Sequence, residues 1–210
     1  MARRKKEERI VHQTRIAEIA AKLFSECGID NTTMDQIATE AGYSKATLYV
    51  YFKNKENIVG FLSYISLKKL KEHIQNAINR QDDLERIFMD ICFSLADYQN
   101  QYPDFFEKSI NSIQYLTDKD TDNYYYLSNL EGEEINKIIF ELLERGCKRG
   151  VLKESQDLLE LTFQIWGMIS GVIMVFVNKE EYLTKKGGYS KKQFLESGFN
   201  RIYSTIRKEV

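Results

Sequence analysis

The residues best suited to bind a nucleic acid lie close together, in the segment Ser44-Lys45-Ala46-Thr47-Leu48-Tyr49. The ammonium group of Lys45 and the hydroxyl groups of Thr47 and Tyr49 suit phosphate oxygens and base edges. The methyl group of Ala46 can contact the methyl group of thymine. On a helix these side chains occupy the faces that remain free when Leu48 packs inward.

Two short helices and a tight turn would position these side chains. Thr33 is followed three residues later by Gln36, a pairing that fits a capping box and opens a short helix. Gly42 then permits a turn, and the side chain of Ser44 can cap the next short helix. These signals predict a helix-turn-helix.

A preceding helix is expected to supply the core on which this pair of helices packs. From about His12 to Cys27, apolar residues recur at the spacing of a single helical stripe. Gly28 follows at a position favoured for a left-handed helix cap. Leu48 and Phe52 have the spacing to hold the second short helix against this stripe.

Residues 33–56, TMDQIATEAGYSKATLYVYFKNKE, resemble the N-terminal DNA-binding domain of the TetR family of transcriptional regulators. The resemblance covers about the first 60 residues. It implies an all-α fold of about nine helices. A three-helix, helix-turn-helix DNA-binding domain with a basic arm would occupy residues 1–55, and a larger helical effector-binding and dimerisation domain would occupy residues 56–210.

The resemblance also implies which side chains contact double-stranded DNA. They lie at the start of the second helix, on or just after the third helix, and at the start of the fourth: Thr33, Ser44, Lys45, Ala46, Thr47, Tyr49, Tyr51 and Lys55. Thr33 and Ser44 have an alternative role as helix caps, and Tyr49 and Tyr51 have one as packing residues. Ala46 stands where the family often has Gly, and Val50 where a larger polar or aromatic residue is frequent, so base recognition is expected to differ at these positions.

The rest of the chain reads as helices. The chain has a single proline and 11 glycines in 210 residues, so few residues interrupt its long patterns of apolar residues interleaved with charged ones. The patterns predict helices over approximately 56–79, 84–102, 105–116, 124–147, 158–177 and 191–208. The segment 158–177 is apolar nearly all round, which predicts burial on every side. Its uncharged stretch, Ile165–Val177, is too short to span a bilayer.

The two final helices are expected to form a homodimer. In the resembled family they build a four-helix interface between two chains, and small residues on this segment would let another helix approach closely. The expected interface residues are Gly167, Gly171, Leu195, Phe199, Ile202 and Ile206. The alternative is burial within one chain.

A small-molecule effector is the other partner that the resemblance implies. Aromatic residues are plentiful in the larger domain, and an apolar cavity lined by them would suit a hydrophobic or aromatic ligand. The candidates are Phe88, Phe105, Tyr115, Phe163 and Trp166. Each has an alternative role as a core residue.

Charge is distributed unevenly along the chain. The formal net charge is −1, but residues 1–60 carry ten Lys and Arg against eight Asp and Glu. Arg3, Arg4, Lys5, Lys6 and Arg9 outweigh two neighbouring glutamates. This N-terminal arm is either a phosphate contact or a solvated tail.

Other classes of protein fit the sequence poorly. Three distant cysteines and two histidines offer neither a disulfide framework nor a metal site, and no cofactor is expected. No Gly-rich phosphate loop, nucleophile elbow or His-based acid–base pair indicates an enzyme. A charged N-terminus without an apolar stretch favours a cytoplasmic protein without a signal peptide or membrane partner. Two kinds of DNA-binding regulator fit the sequence. One is a ligand-responsive repressor, and the other is a regulator whose C-terminal domain serves only dimerisation or a protein partner.

Overall fold

The computed structural model describes residues 8–111, 123–155 and 157–209, and these residues form nine α-helices. An isolated antiparallel bridge joins Leu152 to Arg207. The helices are α1 (Arg9–Cys27), α2 (Met34–Glu40), α3 (Lys45–Tyr51), α4 (Lys55–Arg80), α5 (Leu84–Gln101), α6 (Pro103–Asn111), α7 (Tyr124–Lys148), α8 (Leu158–Gly187) and α9 (Lys191–Ile206). The predicted all-α fold is confirmed.

Helix caps begin the short helices where the sequence predicts them. The Thr33 hydroxyl accepts a hydrogen bond from the Gln36 amide at 3.2 Å, and the Gln36 side chain accepts one from the Thr33 amide at 2.8 Å. These two bonds complete the capping box. At α3, the Ser44 hydroxyl accepts a hydrogen bond from the Thr47 amide at 3.1 Å. Two further N-terminal caps are provided by the side chains of Asn54 and Asp83.

The chain divides into two compact units. The N-terminal unit contains residues 8–67 and 123–130, and the C-terminal unit contains residues 68–111 and 131–209. Helices α4 and α7 therefore contribute residues to both units. The domain boundary predicted between residues 55 and 56 coincides with the start of α4 and stays a prediction.

The core of the N-terminal unit is formed by the inward faces of α1, α2 and α3. Helix α1 packs on both of the shorter helices, which also pack on each other. The side chains that fill this core are Ile16, Ala17, Ala20, Ile37, Ala38, Leu48 and Phe52, each at most 3% exposed. The predicted packing of α3 on α1 through Leu48 and Phe52 is consistent with the burial of both.

Gly28 ends α1 in a conformation that only glycine adopts readily. Its φ of 83° agrees with the predicted positive φ, but its ψ of 153° lies outside the left-handed helical region. The predicted left-handed cap is therefore wrong in its ψ angle. Gly42, between α2 and α3, also has a positive φ, of 73°.

We expect Gly28→Ala to lower the free energy of unfolding by about 1–3 kcal/mol, because a Cβ atom is strained at this backbone conformation whatever space surrounds it. Urea denaturation measures the change. Gly132→Ala is the matched control, since Gly132 is helical and a Cβ there would meet nothing within 4 Å. An equal loss of stability in both variants would contradict the argument.

Helices α5, α8 and α9 build the core of the C-terminal unit. Each pair among them is in contact, and the contact between α8 and α9 is the most extensive. A Cβ atom on Gly198 would lie 2.6 Å from the Val172 side chain, so α9 approaches α8 closely within the same chain. The buried residues include Ile87, Ile91 and Leu95 on α5, Ile165, Ile169 and Ile173 on α8, and Leu195, Phe199 and Ile202 on α9.

Residues 158–177 are buried on only part of their surface in the single chain, so burial on every side, which was expected together with a second chain, stays a prediction. Helix α8 buries one face, and Leu159, Phe163 and Val175 on the other face are 59%, 38% and 50% exposed. The backbone of Lys179, two residues beyond the predicted end, is not helical (φ −126°, ψ 17°) and marks a kink, after which α8 continues to Gly187. By length and composition alone it could cross a membrane, a test that the core helix of a soluble protein also passes.

Candidate nucleic-acid interface

Helix α3 presents one face to the core and the others to solvent. Leu48 is fully buried, whereas Tyr49 is 44% exposed and Val50 is 63% exposed. Lys45 and Ala46 are also exposed. The sequence predicted these orientations from the spacing of Leu48 and Phe52. A seven-residue helix with this exposure can enter a groove of DNA without losing its contacts with the core.

The hydroxyl groups at the starts of α2 and α3 act as caps and remain close to the surface. The hydroxyls of Ser44 and Thr47 lie 2.7 Å apart, and the Ser44 hydroxyl also accepts a bond from a backbone amide. Thr33 has the equivalent position on α2, where its hydroxyl donates to Gln36 at 2.9 Å. Capping is therefore shown for Thr33 and Ser44, and their contacts with DNA stay predictions.

Lys45 forms an ion pair that competes with any bound phosphate. Its ammonium nitrogen lies 2.8 Å from a carboxylate oxygen of Asp35, and both side chains are 62% exposed. The hydrogen bond with Asp35, together with the charge of that carboxylate, raises the pKa of Lys45. The pair ties the first turn of α3 to the first turn of α2.

Lys55 and Tyr51 are engaged within the protein. The Lys55 ammonium group donates to the backbone carbonyls of Ile29 at 2.7 Å and Asp30 at 3.2 Å, so it holds the loop between α1 and α2. The ring of Tyr51 packs 5.2 Å from the ring of His12. These contacts support the packing role considered for Tyr51, and the contact of Lys55 with phosphate stays a prediction.

Arg9 and Gln13 hold the C-terminal end of α3, a role that the sequence did not predict. The Arg9 guanidinium donates to the carbonyl of Val50 at 3.0 Å and lies over the ring of Tyr51. The buried Gln13 amide donates to the Tyr51 carbonyl at 3.3 Å and to the Tyr124 hydroxyl at 2.7 Å. Arg9 was expected in the basic arm, but it is the first residue of α1.

The other basic residues of the predicted arm lie outside the described residues. They are Arg3, Arg4, Lys5 and Lys6. Their contact with phosphate stays a prediction.

The predicted dimer residues fall into two groups. Gly167 and Gly171 are exposed, and a Cβ atom on either would meet nothing within 4 Å. The four predicted residues of α9 are instead buried inside the chain, at 7% exposure or less: Leu195, Phe199, Ile202 and Ile206. In the single chain these four side chains serve the core, which was the alternative reading of the sequence.

The predicted ligand residues are mostly packed against other aromatic rings. The ring of Phe88 lies 5.3 Å from that of Tyr203, and the ring of Trp166 lies 5.8 Å from that of Phe106. Phe105 packs on Tyr102 at 6.3 Å, and Phe163 is exposed on α8. Tyr115 lies outside the described residues. The aromatic ligand site stays a prediction.

Comparison with known proteins agrees with the geometry of the N-terminal unit. Residues 16–60 match the model of the family described as bacterial regulatory proteins, tetR family. The transcriptional regulator TtgR of Pseudomonas putida is 25% identical over 99% of this chain and 100% of its own length. The transcriptional repressor KstR2 of Rhodococcus jostii is 25% identical over 82% of this chain and 87% of its own length.

A solved structure shares the fold of the chain. The fatty acid degradation regulator FadR of Bacillus halodurans superposes with a TM-score of 0.69 at 20% identity, covering 95% of this chain and 97% of that one. TtgR is named a transcriptional regulator, which agrees with the prediction of a regulator rather than an enzyme. The helix-turn-helix and its match to the family model lead to one conclusion: residues 16–60 form a helix-turn-helix domain of the bacterial tetR family of regulatory proteins, in a chain that is similar to a transcriptional regulator along its full length.

Proposed function

We propose that this regulator is a cytoplasmic, homodimeric repressor that binds a pseudopalindromic operator and releases it when a small molecule binds the C-terminal unit. The observation that carries the DNA-binding part is the outward face of α3, where Lys45, Ala46, Tyr49 and Val50 are exposed around the buried Leu48. Side chains of these types suit phosphate oxygens, base edges and the thymine methyl group.

The proposed dimer rests on the exposed apolar stripe of α8. Leu159, Phe163, Gly167, Gly171 and Val175 follow one another at intervals of four residues, and all five are exposed. Residues four apart lie about 40° from each other around a helix axis, so the five form a continuous stripe that winds along α8. A stripe of this length on a soluble protein favours a covering partner, and a second copy of the same helix would supply a matching surface.

The proposed repression and release rest on two observations. One relative of the chain, KstR2 of Rhodococcus jostii, is named a transcriptional repressor. The C-terminal unit contains a cleft of about 720 Å³, which lies within the size range of small-molecule sites. A cleft of this size favours the ligand-responsive regulator over one whose C-terminal domain serves only dimerisation.

The test is selection of bound fragments from genomic DNA, followed by titration of the recovered fragment at fixed salt. We expect a site with two half-sites whose centres are one helical turn, about 34–36 Å, or a multiple of it apart. Compounds are then screened for release of the fragment. Recovery of fragments without a shared two-fold sequence would contradict the proposal.

We expect Asp35→Asn to increase operator affinity by about two- to fivefold. The substitution removes a negative charge from the DNA-facing surface and frees Lys45 from an exposed ion pair of small net stability. The slope of log K against log salt should steepen by up to about 1, since one more cation becomes available to phosphate. Fluorescence anisotropy at several salt concentrations measures both effects.

Glu18→Gln is the matched control for Asp35→Asn, because it removes one exposed negative charge from α1. It should change affinity less than Asp35→Asn does. Equal gains from both substitutions would show that net charge alone is responsible and would contradict the specific competition between Asp35 and phosphate for Lys45.

A further inference from the structure

The C-terminal unit contains a polar cleft between the C-terminal halves of α4 and α7. Helix α4 lines it with the carboxamides of Gln75, Asn76 and Asn79, and α7 lines it with Arg145. Two exposed carboxylates, those of Glu72 and Glu141, complete the polar lining. Among the described residues, none of the aromatic side chains expected to bind a ligand lines this cleft.

Arg145 is the unusual residue of this cleft. Its Nε and Nη2 atoms are buried and have no hydrogen-bond partner among the described residues. A guanidinium stays charged at all physiological pH values, and buried donors without acceptors are unfavourable. Native proteins rarely keep such groups unless a ligand, ion or water completes them.

Asp82, an acidic side chain near Arg145, is already paired with another arginine. Asp82 accepts two hydrogen bonds from Arg149, at 2.7 Å and 3.0 Å. The pKa of Asp82 is lowered chiefly by Arg149, and the charge of Arg145 contributes least. The donors of Arg145 therefore remain available to an acceptor that enters the cleft.

We propose that the cleft is the effector site and that it binds a small polar molecule with one carboxylate, of the amino acid or hydroxy acid class. The carboxylate would accept paired hydrogen bonds from Arg145, the geometry for which a guanidinium is suited. Ammonium or hydroxyl groups of the ligand would meet the carboxamides and carboxylates that line the rest of the cleft. This inference rests on the proposed function and replaces the hydrophobic ligand that the aromatic content of the sequence favoured.

The charges of the cleft favour a monocarboxylate over a phosphate. One arginine and two glutamates give the lining a formal charge of −1, so each negative charge beyond the one that pairs with Arg145 would meet repulsion, and an ammonium group on the ligand would offset it. A single carboxylate matches the one guanidinium, and a neighbouring ammonium or hydroxyl group can donate to a glutamate. The carboxamides accept and donate, which suits the same polar ligand.

The helices that line the cleft also contact the DNA-binding helices. In the N-terminal unit, Lys55 of α4 donates to the loop between α1 and α2, and Tyr124 of α7 accepts a hydrogen bond from Gln13. Gln13 also donates to the carbonyl of Tyr51, the last residue of α3. A ligand that favours one arrangement of α4 and α7 can therefore change the population of DNA-binding conformations.

The test uses the full chain and measures thermal unfolding with a panel of probes. The panel contains the common amino acids and the hydroxy acids lactate and glycerate, each up to 10 mM. Lactamide and serinamide are matched probes without a carboxylate, and sodium phosphate is the control for binding of an inorganic anion. We expect at least one monocarboxylate to raise Tm by about 2–5 °C in a saturable manner. Its amide analogue and phosphate should not.

Arg145→Gln should abolish this shift, whereas Arg149→Gln should retain it because Arg149 does not line the cleft. Without any probe, Arg145→Gln should leave Tm unchanged or higher, since it removes a buried charge that lacks a partner. A structural arginine would instead lower Tm when replaced. A lower Tm without probe, or a shift that Arg145→Gln preserves, would overturn the proposal.

Two further outcomes would also overturn it. One is the absence of a saturable shift across the whole panel, and the other is stabilisation by phosphate alone. Operator titration without probe separates this result from the proposed function, because Arg145→Gln should bind the operator as wild type does. Calorimetric binding of a monocarboxylate with unchanged operator affinity would refute its role as effector while leaving the binding site established.

Discussion

Tyr49→Ala is expected to weaken operator binding by about 5- to 150-fold, the equivalent of about 1–3 kcal/mol for one base contact. The ring of Tyr49 is 44% exposed and lies next to the buried Leu48 on α3. Its removal leaves the packing of α3 on α1 intact, so the loss should be confined to DNA. Titration of the operator at fixed salt measures the effect, and thermal unfolding checks the fold.

Tyr189→Ala is the matched control, since Tyr189 is 50% exposed and lies between α8 and α9 in the other unit. This variant should bind the operator with wild-type affinity. The same affinity for Tyr49→Ala and wild type would remove Tyr49 from the DNA interface. A fall in Tm for Tyr49→Ala would show that its ring serves the packing of the N-terminal unit.

Gly171→Leu is expected to raise the dissociation constant of the dimer by roughly 30-fold or more, the effect of losing about 2 kcal/mol at the centre of an interface. Gly171 is the fourth of the five residues in the exposed stripe of α8, where a side chain would hold two helices apart. The single chain has room for a leucine, because a Cβ there meets nothing within 4 Å. Sedimentation velocity over a range of concentrations measures the dissociation.

Operator affinity should fall together with dimerisation, because a monomer presents one recognition helix to a two-fold site. Gly132→Leu is the matched control: Gly132 lies in α7, and a Cβ atom there also meets nothing within 4 Å. It should leave both assembly and DNA binding unchanged. A Gly171→Leu protein that sediments as the wild type does would place the interface elsewhere.

Much of the fold was predictable from local sequence. The capping box of Thr33 and Gln36, the cap at Ser44 and the cap at Asp83 each join residues two or three positions apart. Such bonds depend on the identities of near neighbours and little on the rest of the chain. The predicted starts of α2, α3 and α5 are accordingly confirmed.

The orientation of the last two helices was not predictable in the same way. Composition showed that α8 is apolar on most faces, and the sequence therefore predicted burial all round. The structure buries the face that packs against α5 and α9 and leaves Leu159 and Val175 exposed. Which face is covered depends on where distant helices lie, a property that periodicity along one helix does not contain.

The candidate sites likewise combine features that local sequence predicts with features that only tertiary packing decides. The sequence by itself determined the helix-turn-helix, because the spacing of Leu48 and Phe52 fixes which side chains of α3 remain outside. Tertiary structure alone decided that Gln13 meets Tyr124, 111 residues away. It also decided that Arg145 lies in a polar cleft without a partner. Hydrogen bonds between distant side chains depend on three-dimensional proximity, so only the packed helices reveal them.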